Sequence, residues 1–190
     1  MLLLTTMVVA LHGAAAPAAA PCTLDEAGKR ANAALSFEQF DQEGTLPSTS
    51  RQLFNAGCPR EGAEAIADYL IRGPVPTPGQ QRVLLFHLGQ MLAHAGEERR
   101  AADFIAATRT PPNPADPNPL RWNDYVRGTW AFLVKDRDTL IAARDAVLAG
   151  EGEGNAMNGA LLAGLVRCFG QSYRKASGPE CRPELRTRVN

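Results

Sequence analysis

Two histidines, His87 and His94, stand seven residues apart in one apolar-striped segment. Imidazole titrates near neutral pH, so it serves as a proton-transfer group or a metal ligand. Seven residues of helix span about 10.5 Å, too far for both rings to share one metal ion unless a third element reaches between them. With Val83 and Gln90 they lie on one helical face, and the plain reading of that face is a half-exposed polar surface. Carboxylates offer a second chemistry. Glu61 with Glu64, or Glu97 with Glu98, could act as the acid pair of a glycosidase, and Asp124 stands beside Trp122 and Tyr125. All of these acids fall near expected helix starts, where a negative charge suits the helix dipole without any catalytic role. The chain has no G-x-S-x-G, no P-loop and no H-E-x-x-H. No catalytic residue, no metal site and no cofactor is therefore expected.

The four cysteines are Cys22, Cys58, Cys168 and Cys181. No C-x-x-C pair or nearby histidine supports zinc, and an even number in an exported chain favours disulfides. Cys168 and Cys181 enclose a segment rich in turn formers, including Gly170, Ser172, Ser177, Gly178 and Pro179. That favours Cys168 with Cys181 and leaves Cys22 for Cys58. Export itself is read from residues 1–20, which carry no charge and combine a short apolar run, Leu2–Leu4 with Met7–Leu11, with an alanine-rich stretch ending at Ala20. This is the pattern of a secretory signal cleaved near Ala20, although the usual positive start is missing. The run is too short to span a bilayer, so no membrane insertion of the mature chain is expected, and Pro21 before Cys22 argues against a lipid anchor. Periplasmic or secreted localisation follows.

Positioning falls to helices. Of 190 residues 45% are apolar and only 6% aromatic, while 20 Lys+Arg balance 20 Asp+Glu. A core can form, but a nucleic-acid partner gets no electrostatic support. Thr23 with Glu26 reads as a capping box opening a helix to about residue 40. Further helices are expected from Ser48 or Ser50 to Gly57, over 61–72, and from Pro78 to Ala95 with Thr77 as N-cap. Others follow over 97–109, 121–134, 138–149 and 159–169. Residues 110–119 hold five prolines in ten and must be a loop, and 151–155 reads as another. No segment alternates in the manner of a strand. The fold class is all-α, in seven or eight helices, as one domain over residues 21–190.

Tight turns between paired helices fall at Gly57, Gly96 and Asp136, about 40 residues apart. In the middle unit Gly89, Gly96 and Ala101 take the small positions, Leu85, Leu88 and Leu92 the large ones, and Ile105 an aromatic one. This unit resembles a tetratricopeptide repeat, and residues 48–150 as a whole are similar to a degenerate array of them. The resemblance implies stacked antiparallel hairpins in a superhelix whose concave face binds a protein or peptide. The concave positions it implies are Val83, Phe86, Gln90, Ala93 and His94 in the middle unit. In the third unit they are Asn123, Val126, Trp130, Leu133 and Val134. For Phe86 and Trp130, core packing is an equally good reading. The expected function is that of a non-catalytic exported binding module, with a homodimer left open because short arrays can cover their end hairpins. The rival readings are an envelope enzyme of glycan-hydrolase type with an acidic catalytic residue, and a carrier for a small apolar ligand.

Overall fold

The computed structural model describes residues 22–111 and 120–182. The expected leader and most of the proline-rich loop lie outside the described residues. Every regular element among those described is helical: α1 (Glu26–Ala33), a π-helical turn (Glu38–Glu43), α2 (Ser50–Asn55), α3 (Pro59–Arg72), α4 (Pro78–His94), α5 (Glu98–Ala107), α6 (Trp122–Leu133), α7 (Arg137–Leu148), α8 (Glu153–Arg167) and α9 (Tyr173–Ala176). From α2 to α9 each helix packs against the next in sequence, most sparsely between α8 and the short α9, and α9 also reaches back to α4. The buried apolar side chains form one continuous cluster.

The helix expected over 23–40 is two elements. Asp25, not Thr23, caps α1, its Oδ1 accepting from Gly28 N at 2.8 Å. Ser36 then competes for the backbone: its Oγ accepts from Gln39 N while Gln39 Oε1 accepts from Ser36 N. The chain restarts there as the π-helical turn, which stacks Phe40 on Tyr69 with centroids 4.0 Å apart and buries Asp41. Further on, α3 begins at Pro59 rather than Glu61, because proline fits a first helical turn whose N–H groups need no intrahelical acceptor. The largest shift is in α8, which starts at Glu153, inside the loop expected over 151–155 and six residues before the expected start at 159. A Cβ at Gly159 would collide with Leu148 of α7, so that glycine serves close helix packing.

α4 follows its sequence closely. Thr77 and Gln80 form a reciprocal capping box with Pro78 at the first position, and Leu84, Leu88 and Leu92 make the buried stripe. Gly89 lets α4 approach α5, since a Cβ there would stand 2.8 Å from Ile105 Cδ1 and 3.2 Å from the Ala101 carbonyl.

Three turns share one geometry. Cys58 N, Glu97 N and Asp136 N each donate to the carbonyl five residues earlier, on Leu53, Leu92 and Ala131, at 2.8–2.9 Å. The residue before each donor has positive φ: Gly57 (82°), Gly96 (86°) and Lys135 (64°). These turns recur every 39 residues. The third is therefore set by Lys135, one residue before the expected Asp136, which instead caps α7 by accepting from Thr139 N. Both expected disulfides are present, Cys22–Cys58 and Cys168–Cys181, with Cα atoms 5.4 and 6.0 Å apart. The second closes the loop that carries α9. Among the described residues, no helix is long and apolar enough to cross a membrane.

Candidate functional site

A groove of about 340 Å³ runs along one face of α4, with His87, Gln90 and His94 on its floor. α2 contributes one wall through Ser50, Arg51 and Phe54, and α9 the other through Tyr173 and Ser177, with Arg182 beyond it. Past His94 a second depression continues between Phe54, Gly57 and Pro59 on one side and Arg174 and Pro179 on the other.

His87 is oriented from below. Asp41, its side chain 1% exposed, accepts a hydrogen bond from His87 Nδ1 on its Oδ1 at 2.8 Å, and its Oδ2 accepts from Gln42 Nε2. With Nδ1 so engaged, Nε2 is the ring nitrogen left for a ligand. In the middle of the floor, Gln90 Nε2 donates to both Tyr125 Oη and Tyr173 Oη at 3.2 Å. Burial pushes both phenols up, Tyr173 to about 12, so both stay protonated and their hydroxyl hydrogens remain available to donate. His94 lies edge-on between Phe54 and Tyr173, with centroids 4.7 and 5.1 Å away. Burial, reinforced by the charge of Arg174, pushes its pKa down to about 4, so at neutral pH it is an uncharged ring.

The residues implied as concave separate into those the groove uses and those it does not. Gln90 and His94 line it. Phe86 is 1% exposed and packs in the core against Trp122 and Tyr125, at 5.1 and 5.0 Å. It is a core residue, because its bulk fills the space between α4 and α6. Ala93 is buried as well, and Val83 borders a separate depression beside Trp122 and Thr110. In the third unit the one-residue shift of the turn moves the face. Counting 39 residues from Gln90 and His94 reaches Thr129 and Leu133, not Trp130 and Val134. Trp130 lies off that face under the Arg109 guanidinium, 5.3 Å from the ring. Asn123 ties down the entry to the proline-rich loop, its amide exchanging hydrogen bonds with Thr110 N and O at 2.8 and 2.9 Å.

The acids considered for glycan cleavage do not converge. Glu64 pairs with Lys29 at 2.6 Å, Asp124 with Arg127 at 3.0 Å, and Glu97 with Arg60 and Arg100. Glu98 accepts from Tyr173 N and pairs with Lys135, while Glu61 sits beside the Cys22–Cys58 bridge. None lines the groove; its carboxylate is Asp41, 46 residues before His87 in the chain, and no local pattern links the two. Arg51 and Tyr173 also escaped the sequence reading, since both reach the groove only through tertiary packing. No family model, curated protein or solved structure matches this chain.

Proposed function

We propose that this chain is a non-catalytic, exported helical-repeat module of tetratricopeptide type, and that it binds an extended peptide segment of a partner protein along α4. The observation that carries this reading is the groove itself. It is an open trough on a helix face, floored by fixed polar groups that can meet a peptide backbone: His87 held by Asp41, and Gln90 held by two tyrosines. The 39-residue recurrence of turn geometry and the seating of Gly89 on Ala101 and Ile105 support the repeat class. The two disulfides support an oxidising compartment, as does the leader pattern of residues 1–20.

Selection of random peptides displayed on phage against the oxidised protein tests the reading. Enriched peptides should bind the wild type in calorimetry and lose about tenfold or more with Gln90→Ala or His94→Ala, both variants keeping the wild-type circular dichroism. No enrichment, or equal binding to both variants, would remove it.

A second reading, an envelope hydrolase, draws support from one feature. Asp41 and His87 have the form of a general-base dyad. Among the described residues, however, no hydroxyl or thiol is hydrogen-bonded to His87, and all four cysteines are in disulfides. Cell-wall degradation by wild type that disappears with His87→Ala would favour this reading over the first.

A further inference from the structure

The groove is lined by more cationic than anionic side chains, Arg51 and Arg182 against Asp41. The carboxylate lining it, Asp41, is already bonded to His87 and Gln42 and is shielded from solvent. At the His87 end stands Arg51, whose Nε and Nη2 donate to the Asp41 carbonyl at 3.2 and 3.1 Å. A backbone oxygen therefore fixes the guanidinium in place without neutralising it. At the far end, past His94, exposed Arg174 borders the second depression, and its charge is felt by the His94 ring. Neither arginine has a carboxylate within ion-pair distance among the described residues. Arg60, Arg72, Arg100, Arg127 and Arg144 do, while several arginines outside the groove, Arg82 and Arg109 among them, do not, so what sets Arg51 and Arg174 apart is their position at the two depressions.

Spacing adds to charge. His87 and His94, which mark the two ends, are roughly 10 Å apart along the helix axis. An extended chain advances about 3.3 Å per residue, so about three residues bridge that distance. Side chains three apart on an extended chain point to opposite sides, and the two arginines belong to opposite walls, Arg51 to α2 and Arg174 to α9. We infer that the groove's occupant is an acidic extended segment, with one side-chain carboxylate on Arg51 and a second, three or more residues along, on Arg174. This rests on the peptide-binding reading above. The guanidinium fork suits such a carboxylate because it can donate two parallel hydrogen bonds to it.

The test uses the peptides enriched in the selection, resynthesised with acetylated and amidated ends so that no terminal carboxylate remains. Their affinities are measured by calorimetry for wild type, Arg51→Gln and Arg174→Gln. Enriched sequences should carry two Asp or Glu residues at a recurring separation of three or more. Replacing either acid by its amide should cost about tenfold, as should the matching Arg→Gln change, and the two losses should not add. Arg51→Gln also removes the bonds to the Asp41 carbonyl, so Arg174→Gln, on an exposed position, carries the test independently. Peptides that lose binding with Gln90→Ala yet are neutral, or indifferent to Arg174→Gln, would overturn this inference and leave the groove reading intact. Binding that needs a free C-terminal carboxylate would overturn it too. Peptides indifferent to Gln90→Ala and His94→Ala would remove both.

Discussion

At positions 87, 90 and 94 α4 carries His, Gln and His and faces an open groove; 39 residues on, at 126, 129 and 133, α6 carries Val, Thr and Leu, all buried. The two helices share turn geometry and a close-packing glycine, Gly89 in one and Gly128 in the other. They differ in what the rest of the chain lays over them. The C-terminal segment covers α6, where Phe132 meets Phe169 and Tyr173 at 5.9 Å. Its coverage ends at α4, where Tyr173 touches Gln90 and His94. A repeated helix face thus becomes core or site according to its neighbours, and its residues have followed: apolar where covered, polar where open. Thr129 marks the boundary, with a buried hydroxyl that has no hydrogen-bond partner among the described residues.

The strongest way to break this contrast is to mutate the core side of α4. Phe86→Ala should cost about 3–5 kcal/mol in denaturant unfolding, because the ring fills the junction with α6. A loss below about 1 kcal/mol would return Phe86 to the groove. The next effect concerns the cover. Replacing Cys168 and Cys181 together by Ser should cost about 3 kcal/mol in the chain-entropy account of a loop this short. It should also loosen Tyr173, seen as faster amide exchange at Tyr173 and at Gln90 with little change in α3. Uniform exchange changes would mean that the bridge does not hold the cover in place.

His94 gives a smaller, pH-dependent effect. Its folded pKa, about 4, lies below the ordinary value of 6.5, so between those values the unfolded chain binds the extra proton. Stability from this group is fully present above about pH 6.5 and is lost as pH falls towards 4. With partial exposure discounted, the loss is on the order of 2 kcal/mol. Asp41 and Arg51, from the elements packed against α4, and Arg174 and Arg182, from the C-terminal segment, face the same groove. Subtracting the profile of His94→Gln isolates the His94 contribution from theirs. Parallel profiles would show that His94 charges freely in the folded state.

Much of this was legible in the sequence, and the failures share a cause. Thr77–Pro78, the Leu84–Leu88–Leu92 stripe and the stops at Gly57 and Gly96 are local signals, and the helices obey them. The Cys168–Cys181 pair followed from turn composition and left Cys22 for Cys58. The start of α8 was not legible, because glycines at 154 and 159 weaken an isolated helix, yet Gly159 is the residue that lets α8 touch Leu148 of α7. The groove was half legible. Gln90 and His94 fall on a face given by periodicity, whereas Asp41, Arg51 and Tyr173 come from other elements that only folding brings to it. Asn123 and Trp130 were assigned to that face because the third turn has no glycine to mark its register.

That turn supplies the last and smallest test. Gly96 and Lys135 do the same job, yet only glycine takes positive φ without steric cost. Gly96→Ala should therefore cost about 1 kcal/mol through strain alone, because nothing lies within 4 Å of the added Cβ. Lys135 bears that strain already. It offsets it in part by pairing with Glu98 at 3.1 Å and by setting its ammonium 4.5 Å from the centroid of the Phe132 ring. Lys135→Gly relieves the backbone and removes both contacts, so its net effect on the unfolding midpoint should be smaller than that of Gly96→Ala. If Gly96→Ala proved neutral while Lys135→Gly was strongly destabilising, the turns would not be equivalent, and the 39-residue register that separates Thr129 from Trp130 would have to be redrawn.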